Sequence, residues 1–154
     1  MSQRDKIRLT AQELRDYLAT ARVIILNSLG RDGAPHPMPM FYAIDADGAV
    51  LMTTYAKSQK IRNLRRDPRV SMLVEDGAAY FELRGAVLYG SAELIDDTEE
   101  VARILGAVAA RQGEAADESE ASIAGRRKMA AKRTGIRVRP ERIVSWDHRK
   151  LVGG

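Results

Sequence analysis

The residues best suited to chemistry are concentrated in one stretch. Thr53-Thr54 end a strand-like run, and Lys57-Ser58-Gln59-Lys60 open a helical pattern just after it. Ser58 is placed to cap that helix, with Lys60 in its first turn. A helix N-terminus offers free N–H donors and partial positive charge, and the lysines add formal charge. Hydroxyls at a strand end feeding such a helix suit a phosphate. The same run also reads as a solvated basic helix face. Other chemistries are poorly served. There is no cysteine, so thiolate metal sites and thiol nucleophiles are excluded, and the two histidines, His36 and His148, do not make a histidine-rich metal site. No serine sits in a nucleophile elbow, and neither a G-x-G-x-x-G run nor a Walker run occurs.

The elements that position these residues follow from periodicity. Thr10-Ala11-Gln12-Glu13 is a capping box, and Leu14, Tyr17, Leu18 and Ala21 continue it as a helix over about 11–20. Residues 22–29, 35–44 and 49–54 read as strands joined by turns at Gly30-Arg31-Asp32-Gly33 and Asp45-Ala46-Asp47-Gly48. Pro35, Pro37 and Pro39 cannot donate to a ladder, so 35–44 is an edge or irregular strand. A basic helix runs from Lys57 to Arg66 and stops at Asp67-Pro68. Residues 69–75 and 79–95 return to strand character, broken at Asp76-Gly77 and Gly85. Residues 97–111 form an amphipathic helix, 112–118 an acidic linker and 119–133 a more basic helix. Short strands at 136–139 and 142–147 flank Pro140. Six or seven hairpin-connected strands with helices at the margins predict a mainly β, antiparallel barrel with peripheral helices, not a doubly wound parallel sheet.

At 154 residues, 45% hydrophobic and 30% charged, the chain is expected to form a single domain over 1–154, with its core at about 10–150. A net charge of +4 favours anionic partners. Nucleic acid is disfavoured, because aromatics are only 5% and no readout motif occurs. No apolar leader or membrane-length run is seen, so a cytoplasmic protein without a membrane partner is expected. Met38, Met40, Met52 and Met72 read as barrel lining. His36 reads as a barrel-edge residue and His148 as a surface residue. Asp45, Asp47, Asp96 and Asp97 read as turn and N-cap groups, and Glu82 as a solvent-facing strand carboxylate.

Lys60-Ile61-Arg62-Asn63-Leu64-Arg65-Arg66-Asp67-Pro68-Arg69-Val70 resembles the phosphate-binding segment of the pyridoxamine 5′-phosphate oxidase-like split β-barrels. The likeness is greatest to the branch that binds the deazaflavin coenzyme F-420. Gly33 to Tyr42 is similar to that family's proline-containing strand, Arg84 to Asp97 to its strand leading into a long helix, and Arg139 to Ile143 with Trp146 to its C-terminal strand.

The resemblance implies an antiparallel split barrel that binds coenzyme F-420, with FMN as the alternative, and transfers hydride to a small, fairly apolar organic acceptor. A non-catalytic coenzyme carrier is a further alternative. It implies that the ring system lies across Met38-Pro39-Met40, that Thr53 and Thr54 face the ring and ribityl chain, and that Lys57, Ser58 and Lys60 hold the phosphate, with Asn63 close by. Arg62, Arg65, Arg66 and Arg69 are candidates for an acidic coenzyme tail. It also implies a homodimer with sites at the interface, the second subunit contributing through Tyr80, Arg84 or Trp146. Trp146 alternatively reads as C-terminal core packing. The chain departs from the oxidase itself. Pro37 to Ile44 carries no base, and the tail reads Ser145-Trp146-Asp147-His148-Arg149-Lys150 in place of an Arg-x-His-x-Arg element.

Overall fold

Alternation along the strands builds the barrel wall. In β1 (Val23–Leu29), Ile24, Leu26 and Ser28 point inward and are buried, while Val23 lies outward and 39% exposed. The same period runs through β5 (Arg69–Asp76), where Val70, Met72 and Val74 point in. It recurs in β6 (Arg84–Ile95) with Ala86 and Leu88. The computed structural model describes residues 1–153. The remaining strands are β2 (Pro35–Phe41), β3 (Ala43–Ile44), β4 (Val50–Tyr55), β7 (Arg133–Val138) and β8 (Arg142–Asp147). All pair antiparallel in one eight-stranded sheet ordered β2-β1-β5-β6-β7-β4-β3, with β8 on β6. This is the expected split barrel. The two ends of the strand path, β2 and β3, are joined through Tyr42 rather than by a ladder.

That seam is held by side chains. Tyr42 is fully buried, and its hydroxyl donates to the Leu18 carbonyl at 2.6 Å. Burial pushes its phenol up, against a smaller downward pull from Arg111. The Arg111 guanidinium lies 4.2 Å over the Tyr42 ring and donates to the carbonyls of Tyr42, Leu18, Ala19 and Ala21 at 2.6–3.0 Å. Arg111 ends α4 (Thr98–Arg111), so it ties that helix to the end of α2 (Ala11–Thr20) and to the seam.

Two apolar clusters result. Ile24, Leu26, Met52, Met72, Leu88 and Ile136 fill the barrel, joined by Ile61 and Leu64 from α3 (Gln59–Arg66). Outside it, Leu51, Ala43 and Ile95 pack against Val101 and Ile104 of α4 and Ala130 of α5 (Glu120–Ala130). Gly135 permits the α4 approach, since a Cβ there would stand 3.1 Å from Ile104 Cδ1.

Several expected boundaries shift. Residues 35–44 are two strands, because Tyr42 turns inward between them. Residues 79–83 are not strand: Glu82 accepts from the Ala78 and Ala79 N–H groups and folds Tyr80–Glu82 into a 3-10 turn. Gly85 does not break β6, but seats a side chain. α3 begins at Gln59, leaving Lys57 in the preceding turn. α5 ends at Ala130, and β7 starts at Arg133 rather than 136. A short α1 (Gln3–Ile7), capped reciprocally by Ser2 and Asp5, was not anticipated. Asp97 caps α4 as expected, accepting from the Glu100 N–H at 2.9 Å. No helix among the described residues is long and apolar enough to cross a membrane.

Candidate functional site

α3 is locked in place from beneath. Ile61 and Leu64 enter the barrel core, and the fully buried Asn63 donates from Nδ2 to Ser28 Oγ at 3.0 Å. Its Oδ1 accepts from Gln59 Nε2 at 2.9 Å and Arg66 Nη2 at 3.3 Å. The expected near-phosphate residue Asn63 therefore fastens α3 to β1, and its amide is engaged within the chain. The start of the helix is less satisfied. Ser58 occupies the N-cap position, yet its side chain makes no cap bond. Its hydroxyl is shielded from solvent and has no partner among the described residues. The first-turn N–H groups of α3 therefore lack a side-chain acceptor.

Beside this helix start lies a cavity of about 980 Å³. One wall is built from strands and the start of α3: Pro39, Thr53, Thr54, Tyr55, Lys60 and Arg133. Thr53 and Arg133 reach the same face because β4 and β7 pair Thr53 with Gly135 and Tyr55 with Arg133. Arg133 Nη1 donates to Thr53 Oγ1 at 3.4 Å, and its guanidinium covers the Tyr55 ring at 4.6 Å. Burial, and then the Arg133 charge, hold the Lys60 amine below its usual range. Among the described residues, no carboxylate lies within ion-pair distance of Lys57, Lys60, Arg62 or Arg133. Two uncompensated cations facing one cavity, beside hydroxyls and a free helix start, favour an anionic guest.

Another part of the lining is helical. Ala102, Leu105, Gly106, Val108 and Ala109 of α4 line it, with Met129 of α5. The linker between the helices supplies a rim that includes Glu114, Asp117 and Glu118. Backbone and side-chain bonds from Ser119 lead in holding the Asp117 carboxyl below its usual range.

The expected site residues thus separate. Pro39, Met40, Thr53, Thr54 and Lys60 line the cavity together. Met38 packs against the barrel core, and Lys57 stands exposed in the turn before α3. Tyr80, Arg84 and Trp146 lie elsewhere. Arg84 is held by Asp76 at 2.8 Å and covers the Tyr17 ring at 4.5 Å. The Trp146 ring lies against Gly85, so it packs β8 onto β6. Tyr80 is 62% exposed, with its ring centroid 5.3 Å from Phe81 and 4.7 Å from His148. Of the expected tail residues, Arg65 pairs with Asp96 at 3.0 Å and Arg69 with Asp67 at 2.7 Å. Arg66 donates to the Leu29 carbonyl at 2.9 Å, which leaves Arg62.

Arg133, Tyr55 and the α4 wall were missed in the sequence. The signal for Arg133 was there: Thr134, Ile136 and Val138 alternate with Arg133, Gly135 and Arg137, so the strand period starts at 133. Among the described residues, no cluster of His, Asp and Glu is arranged to hold a metal ion.

Comparison with known proteins now decides the family. A model described as pyridoxamine 5′-phosphate oxidase matches residues 10–147. The chain belongs to the pyridoxamine 5′-phosphate oxidase family. A solved structure, a conserved hypothetical protein from Mycobacterium tuberculosis, is 40% identical, with a TM-score of 0.88, covering 100% of this chain and 94% of that one. A structure titled F420 reductase is 25% identical, with a TM-score of 0.63, over 83% of this chain and 94% of that one. The heme storage protein HutZ from Vibrio cholerae is 17% identical, with a TM-score of 0.67, over 88% and 94%; it shares the fold. None of the curated proteins compared with this family chain matches it.

Proposed function

We propose that this chain is a coenzyme F-420-dependent reductase that transfers hydride to a small organic acceptor. The observation that carries the reading is the pair Lys60 and Arg133, uncompensated and facing one cavity beside Thr53. These residues fit the phosphate of a flavin-type coenzyme, with the start of α3 and the partnerless Ser58 hydroxyl adding unused donors. Thr53 and Thr54 offer hydroxyls to its polar chain, and Pro39 and Met40 form the surface against its ring. The reduced deazaflavin, when bound, supplies the hydride. The protein's part is to bind the anion, orient the ring and exclude water. The 25% identical F420 reductase supports this branch of the family. The absence of a base between Pro37 and Ile44 speaks against oxidation of pyridoxamine phosphate.

A second copy of the chain completes the assembly in this reading. Across the outward face of the sheet, the register aligns Pro39, Ile25, Leu73, Val87 and Val144 in one row. Phe41 and Val144 beside and within it are 54% and 43% exposed. Tyr80, Arg84 and Trp146, remote from the protomer's own cavity, are then the residues offered to the partner's site.

The test is a pair of fluorescence titrations with coenzyme F-420 and FMN, followed by stopped-flow oxidation of reduced coenzyme F-420 against enone and quinone acceptors. Tighter binding of the deazaflavin with turnover is expected. Preference for FMN would replace the cofactor, and tight binding without turnover on any acceptor would make the protein a carrier.

A further inference from the structure

Resting on that reading of the cavity, we infer that the α4–α5 wall seats the acceptor, that this acceptor is an uncharged apolar molecule, and that the acidic linker rim turns anionic acceptors away. The two walls differ in chemistry. Among the described residues, the uncompensated cations of the cavity are Lys60 at the start of α3 and Arg133 of β7, both on the wall that carries the strands. The helical side offers Ala102, Leu105, Gly106, Val108, Ala109 and Met129. Its arginines are already engaged. Arg103 pairs with Glu100 at 2.8 Å, and Arg126 donates to the Asp117 carbonyl at 3.0 Å and lies 3.8 Å from Glu118. An anion binding on the strand side neutralises the only free cations among the described residues of the cavity. A second guest then meets an apolar surface edged by Glu114, Asp117 and Glu118.

A cavity of about 980 Å³ is at the upper end of the roughly 300–1,000 Å³ usual for ligand sites. Gly106 is a position in the lining with room for a side chain. A Cβ built there meets nothing nearer than Arg126 Cδ at 4.0 Å. A larger side chain at this position fills the acceptor side without disturbing the backbone, and replacing a helix glycine favours the helix.

The experiment uses full-length protein saturated with inorganic phosphate, so that the cation end is filled whichever coenzyme is correct. Calorimetry then compares menadione with 1,4-naphthoquinone-2-sulfonate, two quinones that differ in charge. Menadione is expected to bind about fivefold more tightly or better, from repulsion of the sulfonate by the rim. Gly106→Leu should weaken menadione about tenfold by occupying its place, while phosphate affinity stays within about twofold. Combined Glu114→Gln, Asp117→Asn and Glu118→Gln should close the gap between the quinones. Equal affinity for the two quinones, or menadione binding indifferent to Gly106→Leu, overturns the inference. A quinone pattern as expected with no affinity for coenzyme F-420 overturns the proposed coenzyme alone and leaves the apolar seat standing.

Discussion

Lys60 is held in two minds by its surroundings. Burial and Arg133 disfavour its charge, and an anionic guest needs that charge. A cation whose folded pKa lies below its unfolded value costs stability at neutral pH, and the cost is released as pH rises through the lowered value toward 10.5. Thermal melts of the ligand-free protein should show a contribution from Lys60 that rises over this alkaline window, and Lys60→Met should remove it. Phosphate affinity should fall over the same window, because the ammonium is being lost. At neutral pH, Lys60→Met should raise the melting temperature and weaken phosphate binding about tenfold or more, since a charge-assisted hydrogen bond contributes roughly 1.5–3 kcal/mol. A variant that binds phosphate normally would remove Lys60 from the site. Lys60 and Thr53 were legible in the sequence because a strand end and a helix start are local patterns. Arg133 was not, because it meets Thr53 across 80 residues of chain, through a strand pairing that periodicity alone does not assign.

Among the elements, the seat of β8 on β6 is the most exacting. A Cβ on Gly85 would collide with Trp146 Cζ2 and stand 2.8 Å from the Val74 carbonyl oxygen. Gly85→Ala should therefore cost about 1–3 kcal/mol and lower the melting temperature by several degrees. Trp146 is the sole tryptophan, so its emission reports the displacement directly; an unshifted spectrum and an unchanged melt would contradict the contact. The sequence shows Gly85 as a strand interruption, since a missing side chain looks the same whether the backbone bends or a distant ring lies on it. The helices were easier. The Thr10 capping box and the Asp67-Pro68 stop are written within a few residues, and both are observed at the ends of α2 and α3. Ser58 also sits at its expected N-cap, but its hydroxyl does not make the cap bond, an outcome set by tertiary surroundings.

At the scale of the whole molecule, the proposed assembly makes a simple demand. Light scattering should give about twice 17.0 kDa at micromolar concentration, and Phe41→Glu with Val144→Glu should return the protomer mass. Coenzyme affinity should decline from low to physiological salt, where exposed charges are screened over about 8 Å, and the decline should be shallower in Lys57→Gln. The antiparallel barrel class was readable from the spacing of strands and turns, whereas the long-range ladders that close it, β1 with β5 and β4 with β7, are not local patterns. One further property follows from β2, which ends the strand path. Pro35, Pro37 and Pro39 lie opposite Leu29, Asn27 and Ile25 and share one parity along the strand. The donors of the ladder to β1 come from the residues between them, so every missing N–H falls on the free side. That margin shows carbonyl oxygens without alternating donors, and a foreign strand cannot zip onto it. The prolines thus act as a guard against cross-β growth, and replacing Pro37 and Pro39 by valine should turn a self-limiting rim into a template for fibrils, visible as thioflavin fluorescence on prolonged incubation.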